Sequence, residues 1–275
     1  MTKPIDIALI PPGALAADYC QGRISQMALA GVLNDKAEID YSEFYNHAWK
    51  DRSVLWMLDN GAWEGELLST PDLIHVAHRY GATEVVAPDV LGDPYGTLDL
   101  TTQFLSSIKH LTQPHFDRKP RIAAVVHGRN LPEAIAYVQE LSTRDIDRQV
   151  KTISISRTVC YKTHNPTARF ELALEIKRLF RSRYDIHLLG LSDHWPTEIQ
   201  HCASVPGLIR SLDTAAPFIF AYRGLPITYV AMQEVPRPDN YFMLKPSDFP
   251  SLSLLEHNIE VLDVWGRTPI QRWTP

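Results

Sequence analysis

Short apolar, β-branched runs recur along this chain, and each is followed by a stretch of helical periodicity. The runs cover 5–10, 54–58, 84–87, 122–126, 152–155, 187–189 and 208–212. Between them Leu73, Ile74, Ala77 and His78 recur at helical spacing. So do Leu131, Ile135, Val138 and Leu141, and then Phe170, Leu172, Leu174, Ile176 and Leu179. Helix starts are marked by Ser69-Thr70-Pro71, by Asn130 with Pro132, and by Asn165-Pro166-Thr167, each joining a capping residue to a proline. Strands and helices alternating about every 30 residues require parallel strands with right-handed crossovers. The segment 226–232 (PITYVAM) supplies an eighth strand. The expectation is a single α/β domain over 1–275, a TIM-type (β/α)8 barrel. No GxGxxG follows any run, which removes the strongest sign of an open dinucleotide-binding sheet. The proline-rich stretch 235–250 reads as a surface connection, and 252–266 as a final amphipathic helix.

Composition narrows the class. Of 275 residues, 45% are apolar, enough for a large core. No run approaches the ~18 apolar residues of a membrane span, and the N-terminal stretch reads as a first strand and not a signal peptide. Cys20, Cys160 and Cys202 are odd in number and widely spaced, so they read as reduced thiols of a cytoplasmic protein with no zinc subdomain. A net charge of −5 argues against indiscriminate nucleic-acid binding. Positive charge is nevertheless clumped. Arg157, Lys162, His164 and Arg169 follow one strand, whereas Lys177, Arg178, Arg181 and Arg183 read as a solvated helix face.

In a parallel barrel the functional residues gather where strands end. The first polar residues after each run are Asp59-Asn60-Gly61, Asp89, His127-Gly128, Ser156-Arg157, Gly190 with Ser192-Asp193-His194, and Asp213-Thr214. Asp59, Asp89 and Asp213 at such positions suit chemistry at an acetal or N-glycosidic carbon. One carboxylate attacks or stabilises the cationic centre while another moves the leaving group's proton. Carboxyls held close also drive one another's proton affinity apart.

These segments carry a resemblance. Leu58-Asp59-Asn60-Gly61-Ala62-Trp63-Glu64 is similar to the aspartate–small–Gly–Gly–Phe–Gln signature of the tRNA-guanine transglycosylase superfamily. Ala87-Pro88-Asp89 resembles the strand end that reads the purine edge there. Val125-Val126-His127-Gly128 resembles its Val-Gln-Gly segment, with histidine for glutamine. His187-Leu188-Leu189-Gly190 resembles the strand before the nucleophile, and Leu212-Asp213 falls at the nucleophilic aspartate. The resemblance implies Asp213 as nucleophile, Asp59 as general acid/base and Trp63 as the aromatic that stacks on the base. It further implies a substrate pocket of Asn60, Gly61, Trp63, Asp89, His127, Gly128, Arg157, Gly190 and His194. No cofactor and no metal are implied. The missing zinc subdomain turns the expected partner from tRNA to DNA, as in the compact DNA-acting relatives. Arg157, Lys162 and Arg169 are then the expected backbone contacts. Those relatives either insert a free 7-deazaguanine base or excise a modified base.

Two other classes compete. A metal-dependent barrel hydrolase would draw ligands from Asp59, Asp89, His127, His194 and Asp213, but no HxH pair ends the first strand and no lysine stands at a strand end. A non-catalytic binding barrel would have no use for both Asp59 and Asp213.

Overall fold

A computed structural model describes residues 4–34, 39–48, 54–65, 67–110, 119–192, 195–228 and 235–267. Eight parallel strands close into one barrel in chain order. They are β1 Asp6–Leu9, β2 Ser25–Leu29, β3 Leu55–Asp59, β4 Glu84–Val86, β5 Arg121–Val126, β6 Val150–Ser156, β7 Asp185–Leu189 and β8 Ser211–Thr214. Around them lie α1 Ala16–Cys20, α2 Ala30–Asn34, α3 Ile39–Ala48, α4 Thr70–Arg79, α5 Pro94–His110 and α6 Leu131–Arg144. The ring of helices continues with α7 Thr158–Thr163, α8 Ala168–Phe180, α9 Trp195–Ala203, α10 Ala216–Tyr222 and α11 Leu252–Arg267. The TIM-type barrel expected from the alternation is the fold observed.

Local signals account for the helix starts. Ser69 caps α4 by accepting the Asp72 N–H, and Asn130 caps α6 by accepting the Glu133 N–H, with a proline inside each first turn. The core has two parts. Side chains alternate between the faces of a strand, so one set fills the barrel and the other meets the helices. Ala8, Ile10, Met27, Met57, Val86, Ala123 and Val125 pack inside the ring. The larger cluster, with Leu9, Leu58, Val85, Ile153, Ile155, Leu188 and Leu212, faces the helices. The same alternation carries Met57 to Asp59 and Ser211 to Asp213 on the inner face.

The strand N-terminal end of the ring is closed by charge. Glu84, fully buried, accepts two bonds from Arg210, at 2.8 and 3.0 Å, and Arg210 also reaches Thr152 at 3.0 Å. Arg121 pairs with Asp185 beside them. The cavity therefore opens at the other end, where the strands finish.

Three expectations are corrected. The missing strand is β2, not 226–232. Ser25-Gln26-Met27-Ala28-Leu29 carries no β-branched residue, so it lacks the composition of a strand. All five residues are buried, and the Gln26 side-chain nitrogen donates to the Cys20 carbonyl at 3.0 Å. Residues 226–228 are not in a strand, 229–232 lie outside the described residues, and the closed ring has no ninth place. The last strand begins three residues later than the apolar run 208–212, so Asp213 lies within it. Residues 235–250 do more than connect along the surface. Tyr241 is buried and its hydroxyl donates to the Ile10 carbonyl, which draws this segment over the mouth.

Gly128 is needed for packing. A methyl group there would stand 2.9 Å from the Ala134 Cβ and 3.0 Å from its backbone nitrogen, at the first turn of α6. Gly128→Ala should therefore overpack the β5–α6 junction and cost about 1–3 kcal/mol. A denaturant titration checks this; an unchanged midpoint would show that α6 can retreat freely.

Candidate functional site

A cavity of about 330 Å³ opens at the strand C-terminal end. Asp59, Asn60, Trp63, Asp89, Arg157, Gly190 and Asp213 all line it, joined by Glu64, Ser192, Thr214 and Arg237. Strand ends three, four, six, seven and eight thus converge on one space. Among the residues expected there, Gly61, His127 and Gly128 do not form its wall, Arg169 lies behind it, and His194 is outside the described residues.

Asp213 is the most firmly held. Its Oδ1 accepts the His187 Nε2–H at 3.0 Å and the Gly190 backbone N–H at 3.0 Å. The other ring nitrogen of His187 meets the Ser211 hydroxyl at 2.9 Å; the carboxylate, which only accepts, sets Nε2 as a protonated nitrogen. Gly190 has φ of +64°, a conformation that suits glycine and strains other residues. Asp213 Oδ2 has no hydrogen-bond partner among the described residues. His187 is a site residue that sequence reasoning missed. Inside a buried strand run it read as core, and only the inner-face register shared with Ser211 and Asp213 reveals it.

Asp89 is held on both oxygens. Oδ1 accepts from Asn60 Nδ2 at 2.7 Å and Oδ2 from His127 Nε2 at 2.6 Å. Asn60 also donates to the Ala87 carbonyl and accepts the Ala62 N–H, each at 2.7 Å, so one side chain locks the β3 and β4 ends together. The Gly92 N–H points at His127 Nδ1 at 3.3 Å, which leaves Nε2 as the donor to Asp89. His127 is fully buried and stands behind Asp89, off the cavity wall. Gly61, with φ of +80°, makes the turn that follows β3.

Asp59 differs from both. Burial pushes its proton affinity well above the ordinary carboxylate range, and the charges of Glu64, Asp213 and Asp89 push the same way, against the stabilising Asn60 N–H. Glu64 comes back over the cavity through a turn in which its N–H donates to the Gly61 carbonyl. Arg237 Nη1 binds Glu64 Oε1 at 2.9 Å from the far side of the mouth. Neither Glu64 nor Arg237 stood out in the sequence. Glu64 sat at the edge of a motif, and Arg237 lay in a stretch with no periodic signal.

The cationic side of the wall is Arg157, whose guanidinium carbon lies 3.6 Å from the centre of the Trp63 ring. One face of the indole is thereby covered, while Trp63 remains half exposed. No carboxylate among the described residues pairs with Arg157. Lys162 is exposed, with its chain against Gly92. Arg169 is a correction. It is fully buried, donates to Glu198 from two nitrogens, at 2.7 and 2.5 Å, and also binds the Leu189 and Gly190 carbonyls. It neutralises a buried glutamate and supports the Gly190 loop, and cannot reach a nucleic-acid backbone.

Cys20, Cys160 and Cys202 are free and buried. Among the described residues no three His, Cys, Asp or Glu side chains are grouped to hold a metal ion, and no helix is long and apolar enough to cross a membrane. Comparison with protein-family models and with curated proteins gives no match for this chain.

The raised proton affinity of Asp59 has a stability consequence. Folding must pay for its ionisation once pH exceeds the ordinary carboxylate range, and the cost grows until pH passes the raised value. Asp59→Asn should then raise the melting temperature at pH 7, with the gain shrinking to nothing in acid below the unfolded-state value. Thermal melts across pH decide it; a gain that is constant or largest in acid would contradict the assignment.

Proposed function

We propose that this barrel cleaves the N-glycosidic bond between base and sugar of a nucleotide in DNA. The observation that carries the reading is the pairing of two unlike aspartates on one cavity. Asp59 is a carboxyl that keeps its proton unusually well, whereas Asp213 is fixed by two N–H donors at one oxygen. Such a division of environments separates an acid from a nucleophile or charge stabiliser. The resemblance of the strand-end segments to the transglycosylase superfamily supports the same assignment.

In this mechanism Asp213 Oδ2 acts at C1′, as nucleophile or as stabiliser of the oxocarbenium-like transition state. Asp59 gives its proton to the departing base as the C1′–N electron pair leaves with it. Water then completes excision, or an incoming 7-deazaguanine base completes exchange. Asp89, held rigid by Asn60 and His127, offers its carboxylate to the base edge. A base in a duplex must first be flipped out to reach these groups. Arg157, on the cavity wall, and Lys162, exposed beside Gly92, serve the phosphates. A guanidinium stacked on an indole retains in-plane donors for an anion.

Single-turnover base release tests the assignment. Asp213→Asn should lose about a hundredfold or more, the usual scale for removing a group that stabilises developing charge. Asp59→Asn should lose less when the base is already a good leaving group. Both should still bind DNA. Near-normal release by Asp213→Asn would eliminate the proposed role.

The same reading predicts the partner surface. Arg157→Ala and Lys162→Ala should each weaken DNA binding and flatten its dependence on salt, because fewer counterions are released. Binding isotherms at several salt concentrations check this, and an unchanged slope in both variants would remove these residues from the interface.

A further inference from the structure

The peptide that joins Leu189 to Gly190 is held at both of its polar ends. Its N–H, that of Gly190, donates to Asp213 Oδ1 at 3.0 Å. Its carbonyl, that of Leu189, accepts from Arg169 Nη1 at 3.0 Å. A trans peptide turns its N–H and its C=O to opposite sides. A guanidinium and a carboxylate thus stand at the two ends of one amide dipole. The same Nη1 also reaches the Gly190 carbonyl at 2.9 Å and the Ile155 carbonyl at 3.3 Å, so it gathers the ends of β6 and β7.

The satisfaction of buried carbonyls does not account for this arrangement. The Leu189 carbonyl already accepts the Arg157 backbone N–H at 3.2 Å and needs no second donor. Stability does not account for it either. The side chains of Arg169 and Glu198 are both wholly buried. Apolar residues of similar volume commonly stabilise a fold as well as such a pair does, or better. Glu198 is itself fixed, with the Ser192 hydroxyl donating to Oε2 at 3.0 Å beside the guanidinium. The cation is therefore held in one place, directly behind the peptide that serves Asp213.

We propose that Arg169 is a positioning residue that acts on Asp213 through the Leu189–Gly190 peptide, with Glu198 holding its guanidinium in place. It fixes the plane of that peptide, so the Gly190 N–H meets Oδ1 and leaves Oδ2 unoccupied. It also polarises the amide. A cation on the carbonyl oxygen makes the N–H a stronger donor, because linked hydrogen bonds in a low-dielectric interior reinforce one another. The Arg157 N–H shares the Leu189 carbonyl, so one peptide ties the cation of the cavity wall to the carboxylate. The inference rests on the base-release reading for the reaction that is served. The relay itself belongs to the free protein.

Proton–nitrogen NMR of the free protein reads the relay without DNA. An amide that donates to a carboxylate through a charge-assisted bond resonates downfield. The Gly190 amide should therefore lie downfield in the wild type and lose that displacement in Asp213→Asn. Arg169→Lys keeps a charge but lacks the planar fork that spans Glu198 and the carbonyls, so the amide should move upfield. Glu198→Asp keeps both charges and draws the guanidinium toward α9. It should move the amide in the same direction, and it carries the test if Arg169→Lys does not fold.

Single-turnover base release then separates positioning from mere structure. Each variant should slow release by about tenfold or more while DNA affinity stays within about twofold, since the relay alters reacting geometry and presents nothing to the phosphates. In an Asp213→Asn background Arg169→Lys should cost little more, because a residue that acts through Asp213 has then lost its target. A general structural defect would slow both backgrounds alike. An undisplaced Gly190 amide in the wild type, an amide unmoved in the folded variants, or equal losses in both backgrounds overturns the proposal. The expected movements of the amide in a protein that releases no base would uphold the relay and refute the base-release reading.

Discussion

Everything at the mouth depends on the hydrogen-bonded closure of β1 on β8. Asp6 to Leu9 lie opposite Ser211 to Thr214, and this seam bends eight strands into a ring. An open sheet would leave Asp59 on the third strand and Asp213 on the eighth far apart at opposite sides. Closure, with the alternation of side chains along each strand, places both on the inner face of one cavity. The interior beneath them is filled by small or flexible residues such as Ala8, Met27, Met57 and Ala123. The far end is blocked by the Glu84–Arg210 pair. Polar chemistry is therefore confined to one end by packing at the other.

Within that mouth the carboxylates are separated by what holds them. Asp213 and Asp89 each receive two N–H donors. Asp59 receives a single backbone donor and has acidic neighbours, with Glu64 foremost. Buried basic groups stay out of the space: Arg169 is spent on Glu198, and His127 and His187 each brace an aspartate from behind. The basic residues left at the wall are Arg157, set on Trp63, and Arg237, bound to Glu64. The resulting cavity has an acidic floor with cations at its edge, an arrangement suited to a ligand that develops positive charge at its centre and carries negative charge outside.

The ring of strands was legible because parallel strands buried on both faces read as apolar runs, and seven of the runs became strands. The strand Ser25–Leu29 was hidden because its burial comes from position in the ring and not from composition. The run Pro226–Met232 (PITYVAM) misled for the converse reason, being β-branched without a place in the sheet. At the site, aspartates at strand ends were visible because strand ends are where a barrel meets solvent. His187 was not, since a histidine inside a strand has no local mark of facing a carboxylate on the neighbouring strand, two residues beyond its register partner Ser211. Arg169 looked like a surface cation because a sequence shows charge but not the glutamate that buries with it, twenty-nine residues on.

If Asp59 and Asp213 cleave a glycosidic bond, a base must leave its sugar. Plain and modified DNA, single- and double-stranded, incubated with the protein and analysed by mass spectrometry, would show it. The prediction is a released base accompanied by an abasic sugar, or by a new base in its place. Intact DNA in every substrate, with the protein folded and bound to it, would contradict the reading of Asp59 and Asp213 as the machinery of glycosidic cleavage.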